Sequence, residues 1–271
     1  MVSFPNCKIN LGLHVTKKRE DGFHDIETVF YPLTYCDVLE IVQADKAEAD
    51  VVFSTSGLSI EGSPENNLCV KAYHLLKEKF AQLLPVKMHL HKKIPMGAGL
   101  GGGSADGAFA LEMLNEKFHL GLQKEELMAL ALQLGSDCPF FIINEACLAM
   151  GRGEVLEKLQ LQLSEFRIVV VSPGIHVNTG KAFSKLKPKQ QETSLKEIIA
   201  QPVSSWKDLL KNDFEESVFE EHPAIAGIKT ALYDKGAVYA SMSGSGSCVY
   251  GLFKEVPEGF AFPINYITLI L

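Results

Sequence analysis

Pro95-Met96-Gly97-Ala98-Gly99-Leu100-Gly101-Gly102-Gly103-Ser104 sets five glycines within seven positions, between a stretch that alternates like a strand and one that repeats like a helix. Upstream, residues 86–91 read Val-Lys-Met-His-Leu-His, apolar and polar in turn, the pattern of a half-exposed strand. Downstream, Ala108, Leu111, Leu114 and Phe118 recur at three- and four-residue steps, one face of an amphipathic helix starting near Ser104. Glycines let backbone N–H groups approach an anion closely. The first turn of a helix adds unpaired N–H groups and a partial positive charge, so the arrangement reads as a phosphate cradle.

Three kinds of phosphate loop compete for this stretch. Gly97, Gly99 and Gly102 satisfy G-x-G-x-x-G, but a dinucleotide-binding strand is buried on both faces, and the strand here carries Lys87, His89, His91, Lys92 and Lys93. That disfavours an NAD-dependent oxidoreductase. A Walker A loop needs Lys after Gly102, where Gly103 stands, so a cation for the transferred phosphate has to come from elsewhere. No H-R-D or D-F-G element follows, which excludes a protein kinase.

The rest of the chain reads as mixed α and β. Strands are expected over 8–15 and 38–42, separated by a turn over 17–24 around Asp21-Gly22, and a helix over 68–80 from the spacing of Leu68, Ala72, Leu75, Leu76 and Phe80. A second helix over 124–134 should end at Gly135 in a left-handed C-cap. The turn Ser136-Asp137-Cys138-Pro139 then leads into a strand-like run over 140–143. Residues 151–166 carry no clear pattern, whereas 167–171 form a buried-strand run ending at Pro173-Gly174. Residues 185–201 read as a solvated loop with a short helix near 195–200; strands over 237–240 and 248–253 flank a second small-residue loop, residues 241–247. Two domains are expected, one over 1–160 that holds the glycine-rich loop and a second over 161–271.

A net charge of −7 over 271 residues argues against a general nucleic-acid partner. The six cysteines form no C-x-x-C pair, and the histidines outside the 17–24 turn show no ligand spacing, so neither a zinc site nor a disulfide framework is signalled. Residues 1–15 are too polar for a secretory signal, and no apolar run approaches the roughly 20 residues of a membrane span; a cytoplasmic protein without a membrane partner is expected.

Residues 95–105, from Pro95 through Ala105, together with Lys8-Ile9-Asn10-Leu11 and Met242-Ser243-Gly244-Ser245-Gly246-Ser247, resemble the three motifs of the GHMP kinase superfamily. Four more segments make the resemblance finer. Arg19-Glu20-Asp21-Gly22-Phe23-His24, Asn67-Leu68, Gly135-Ser136-Asp137-Cys138-Pro139-Phe140-Phe141, and Pro173-Gly174 through Thr179 to Phe183 are similar to stretches of the 4-diphosphocytidyl-2-C-methyl-D-erythritol kinases within that superfamily. Phe23, Ser136 and Cys138 stand where that family has Tyr, Ala and Val. Phe23 keeps an aromatic face but loses a hydroxyl. Nothing after Phe253 resembles the family.

The resemblance implies an α+β fold of two domains, the first like the second domain of ribosomal protein S5 and the second ferredoxin-like, with the active site between them. It implies transfer of the γ-phosphoryl of ATP, with Mg²⁺, to the 2-hydroxyl of the cytidine diphosphate derivative of methylerythritol. Asp137, alone a turn residue, becomes the group that orients or deprotonates the hydroxyl, and Lys8, alone a surface lysine, becomes its cationic partner. ATP would be held by Asn67, Lys92 and residues 95–105. Ser104 would serve as an N-cap, a phosphate contact or a Mg²⁺ ligand. Phe23, His24 and Phe183 would stack on and read the cytosine, with Asn10 and Thr179 nearer the rest of the substrate. The chain would act as a monomer or homodimer. The alternatives left open are a GHMP kinase for homoserine or a mevalonate derivative, and a nucleotide-binding module that has lost catalysis.

Overall fold

The alternating stretch before the glycines is the strand Val86–Lys92 of a computed structural model that describes residues 1–44, 49–186, 188–189 and 193–271. Val86, Met88 and Leu90 are buried while Lys87 and His91 are exposed, as a side-chain period of two requires. The strand pairs antiparallel with Val38–Gln43 and parallel with Val51–Gly57, in a four-stranded sheet completed by Val2–Ser3. Val51–Gly57 was not expected: it is a largely exposed edge strand whose Ser54, Thr55 and Ser56 leave no apolar periodicity to read.

The helices Leu68–Lys79, Gly102–Lys117, Lys124–Leu134 and Cys138–Ile143 pack on one another, and the second of them also packs against Val38–Gln43. Sheet and helices form one compact unit, Met1–Cys7, Thr34–Met96 and Gly101–Asn144.

Three expectations for this unit are corrected. The run over 140–143 is helical, within Cys138–Ile143. A short, continuously apolar stretch fits a buried helix as well as a strand, and Pro139 in the first turn, where a missing N–H costs nothing, decides for the helix. Gly135 has φ 171°, extended backbone open to any residue, so the preceding helix ends without a left-handed cap. The helix after the loop begins at Gly102, with Gly101 at φ 70° as its N-cap; Ser104 lies inside the first turn and is not the cap.

The second compact unit comprises Lys8–Leu33, Gly97–Leu100 and Glu145–Leu271. One of its sheets runs in the order Asn6–Lys18, His24–Cys36, Cys147–Gly151, Val155–Lys158. The first two strands are 13 residues each, longer than the sequence suggested. His24–Cys36 escaped notice because Pro32 and the mixed run His24-Asp25-Ile26-Glu27-Thr28 break any alternation, and Val155–Lys158 lies in the segment without pattern. The turn between the long strands is built on Gly22 at φ 84°, with Arg19 and Phe23 closing it through a 2.9 Å backbone bond.

The other sheet is antiparallel throughout, in the order Tyr239–Met242, Val249–Phe253, Arg167–Ser172, Ile267–Ile270. Its two central strands are apolar on both faces. Pro223–Asp234 packs against Tyr239–Met242 and Val249–Phe253, and Phe214–Glu221 packs against that helix. The carboxy-terminal residues therefore have a structural role, since Ile267–Ile270 pairs along Arg167–Ser172. Of the expected loop over 185–201, residues 187 and 190–192 lie outside the described residues; the short helix is Leu195–Ile199, opened by a Ser194–Glu197 capping box. None of the six cysteines forms a disulfide. Among the described residues no helix is long and apolar enough to cross a membrane.

Glu112, on the helix Gly102–Lys117, has its carboxyl lifted to about 7 by burial, with Lys124 drawing it partly back. The folded chain holds this proton to higher pH than the unfolded one, so stability falls as pH rises from 4.5 towards about 7. Glu112→Gln should remove that slope and stabilise the chain at pH 8 by about 1–2 kcal/mol, allowing for solvent screening, while changing little at pH 4. Urea denaturation at the two pH values measures this; equal gains at both would refute burial as the cause.

Candidate active site

Gly97, Gly99 and Gly101 have φ of 63°, 80° and 70°, and Gly102 and Gly103 open the helix. Two of these positions also have no room for a side chain. A Cβ on Gly99 would lie 1.9 Å from the Ser243 carbonyl oxygen, and one on Gly102 would lie 2.8 Å from Ile94 Cγ2 and 3.0 Å from Lys92 Nζ. The stretch Gly97–Leu100 is tied into its unit by Cys248 N–H to Ala98 O at 3.1 Å and Lys8 N–H to Leu100 O at 2.9 Å.

Lys8 and Asn10 lie in the same unit, both buried. Lys8 Nζ donates to Asn10 Oδ1 at 2.6 Å and to Gly99 O at 3.1 Å, and sits 4.9 Å from the centre of the Phe30 ring. At 3% exposure Lys8 is no surface lysine. Asn10 Nδ2 donates to Thr28 Oγ1 at 2.9 Å, and the Thr28 hydroxyl donates onward to Gly12 O at 2.5 Å. Ser243 accepts the Asn10 N–H at 3.2 Å and gives its own hydroxyl to Gly99 O at 2.8 Å. Asn212 holds the second small-residue loop by donating to Met242 O and Gly244 O, each at 2.8 Å. Segments near residues 8, 99 and 243, far apart in sequence, thus share one hydrogen-bond network. Thr28, Asn212 and Ser243 were not singled out as site residues, and a lone Thr or Asn in a polar context gives no signal that would have found them.

His24 stacks on Phe183 with ring centres 4.9 Å apart and planes 18° from parallel, and Phe183 meets Phe214 edge-on at 4.8 Å. Phe23 is 53% exposed, with the Arg152 guanidinium 4.9 Å from its ring centre. Thr179, first residue of the helix Thr179–Lys185, shares a 2.9 Å hydrogen bond with Ser245.

In the other unit, Asn67 caps Leu68–Lys79 by accepting the Cys69 N–H at 2.9 Å. Asp137 occupies the N-cap position of Cys138–Ile143. Burial pushes the Cys138 thiol up to about 12, against a hydrogen bond from Ser104. Lys92, expected at the nucleotide, is 1% exposed and forms ion pairs with Asp37 and, at 2.7 Å, with Asp106. Burial opposes its charge, yet the two carboxylates outweigh burial and raise its pKa. The alternation Val86, Met88, Leu90 already carried this signal, because the next inward position is 92.

The chain matches the model of the GHMP kinases N terminal domain over residues 67–145 and that of the GHMP kinases C terminal domain over 194–260. It is 54% identical to a Bacteroides fragilis 4-diphosphocytidyl-2-C-methyl-D-erythritol kinase, over 94% of this chain and 92% of that one. Identity is 51% to the protein of the same name from Bacteroides thetaiotaomicron, covering 96% and 93% of the two chains. A crystal structure of 4-(cytidine 5'-diphospho)-2C-methyl-D-erythritol kinase superposes with a TM-score of 0.76 at 31% identity, covering 93% of this chain and 90% of that one. The chain belongs to the GHMP kinases and, within them, to the family of 4-diphosphocytidyl-2-C-methyl-D-erythritol kinases. It is thus an ATP-dependent kinase with the fold of that family.

Gly99→Ala should destabilise the chain by more than about 2 kcal/mol, because left-handed strain adds to a backbone clash, and should abolish the ATP-dependent rise in Tm. Gly97→Ala, whose Cβ would first meet the His176 ring at 3.6 Å, carries the strain alone and should cost about 1 kcal/mol. Thermal melts with and without ATP give both values; equal losses at the two positions would refute the close approach at Gly99.

Proposed function

We propose that this kinase phosphorylates the 2-hydroxyl of 4-diphosphocytidyl-2-C-methyl-D-erythritol at the expense of ATP, in the non-mevalonate route to isoprenoid precursors. The observation that carries the choice of substrate is the His24–Phe183 stack, with Phe23, the residue before His24, exposing its ring. Flat aromatic faces next to a polar ring suit a pyrimidine base, which is bound by stacking and read at its edge. Neither homoserine nor a mevalonate derivative carries a base. The names of the relatives at 51–54% identity support the same substrate.

In this reading the hydroxyl oxygen bonds to the γ-phosphorus, the bond to the bridging oxygen of ADP breaks, and Asp137 orients the hydroxyl and takes its proton. Lys8, held by Asn10 and Gly99, supplies positive charge to the reacting groups. The N–H groups of residues 95–105 and the start of the helix Gly102–Lys117 cradle the phosphates, and Asn67 adds a nucleotide contact. Asn10 and Thr179 face the non-cytosine part of the substrate.

Among the described residues no three His, Cys, Asp or Glu side chains gather to hold a metal. Mg²⁺ would be held together with the phosphates of ATP, with the Ser104 hydroxyl as a protein-side oxygen. Bound there, Mg²⁺ supplies charge neutralisation on the phosphates. The setting proposed is the cytoplasm, with the chain as a monomer or homodimer acting on a small molecule and binding neither nucleic acid nor membrane.

Incubating the purified protein with ATP, Mg²⁺ and a panel of hydroxyl acceptors should phosphorylate the cytidine derivative alone, by mass spectrometry. Preferential transfer to homoserine or mevalonate would overturn the proposal. Asp137→Asn and Lys8→Ala should each lower kcat by roughly 10²–10⁴-fold in folded protein. His24→Ala and Phe183→Ala should instead raise KM for the cytidine substrate by about tenfold, leaving KM for ATP near the parent value.

A further inference from the structure

Lys92 lies between the two arms of the glycine-rich loop and touches both through carboxylates. On the entering arm, Asp37 Oδ1 accepts the N–H groups of Lys93 at 2.6 Å and Ile94 at 2.9 Å, while Oδ2 accepts from Lys92 Nζ. On the leaving arm, Asp106 belongs to the helix that Gly102 begins and accepts from the same Nζ at 2.7 Å. Gly102 passes so near this ammonium that a Cβ would lie 3.0 Å from it. All three side chains are buried.

Two carboxylates around one ammonium are more negative charge than the pair needs. Burial, with Asp37 adding to it and Lys92 opposing it, lifts the Asp106 carboxyl to about 7. Its Oδ1 is buried without a hydrogen-bond partner. An arrangement this costly does little for stability that packed apolar side chains could not do, but it fixes geometry. Residues 95–101 connect the two arms. Fixing both ends of so short a segment restricts the conformations from which its N–H groups can meet a phosphate.

We propose that Asp37, Lys92 and Asp106 are positioning residues that set the phosphate-binding conformation of the glycine-rich loop. Lys92 then serves ATP through the two carboxylates rather than by contact with a phosphate. The proposal rests on the kinase reading of that loop.

The test uses Asp37→Asn, Asp106→Asn and Lys92→Met in the full chain, each assayed well below its own Tm. Asp106→Asn keeps the shape of the side chain while removing its charge and one acceptor oxygen, so it carries the test if Lys92→Met does not fold. Each folded variant should show KM for ATP raised about tenfold or more, with KM for the hydroxyl substrate and kcat at saturating ATP within about threefold of the parent. Two results would overturn the proposal: a lowered Tm with an unchanged KM for ATP in both Asn variants, or loss of ATP binding in Lys92→Met while both Asn variants keep the parent KM, which marks a direct phosphate contact. The parent chain separates this from the wider reading. If ATP fails to raise the parent's Tm and no turnover occurs, both fall; if the parent binds ATP and the variants match it, the positioning role alone falls.

Discussion

The Ser243 carbonyl oxygen approaches Gly99 so closely that only a hydrogen fits between them, and the polar groups of the second unit are arranged around that approach. The Gly99 carbonyl receives the Ser243 hydroxyl and the Lys8 ammonium, so the loop segment is bonded from two other segments at once. Lys8 in turn is held by Asn10, Asn10 by Thr28, and the Ser243 loop by Asn212. Each of these buried donors has an acceptor, which allows a lysine to stand nearly without solvent. Removing one member would leave a partner unsatisfied, at about 1–3 kcal/mol or more for a charge.

Lys8 and Lys92 are both buried. Around Lys8 are the Asn10 amide oxygen, the Gly99 backbone carbonyl and the Phe30 ring. Lys92 has two carboxylates, which neutralise it and commit it to its neighbours. A Walker A loop places its lysine beside the glycines. Here Gly103 takes that position, and the two buried lysines come from elsewhere in the chain.

Much of the fold was legible: Leu68–Lys79 and Val86–Lys92 lie where the side-chain period put them, and Lys124–Leu134 and Arg167–Ser172 lie where a helix ending near Gly135 and an apolar run ending at Pro173 were expected. The pattern failed where burial hides the period. Cys138–Ile143 is apolar all round, so nothing but Pro139 marked it as a helix. His24–Cys36 carries Pro32 and a polar first half, and Val51–Gly57 is an exposed edge; neither shows the alternation by which strands are recognised. Among the candidate site residues, the glycines, Lys8, Asn10, His24 and Phe183 were singled out by motif resemblance. Asp37 and Asp106 were not, because an isolated Asp in sequence looks like a turn or surface residue until its partner is known.

The sequence by itself determined the strand, glycine run and helix around residues 86–117, the apolar strands around residues 170 and 250, and membership of a kinase family. These rest on local period, on glycine's access to positive φ, and on motifs whose spacing is short. The tertiary structure alone decided that the compact units are assembled from interleaved pieces of chain, with Lys8–Leu33 and Gly97–Leu100 grouped with Glu145–Leu271. It alone decided that Lys92 meets Asp37 and Asp106, and that the final strand Ile267–Ile270 completes a sheet. Those outcomes depend on pairing between residues tens to hundreds of positions apart, and such pairing leaves no periodic trace along the chain. For the buried lysine the alternation fixed only the direction; what it would meet there was set by the helix and strand packed against it.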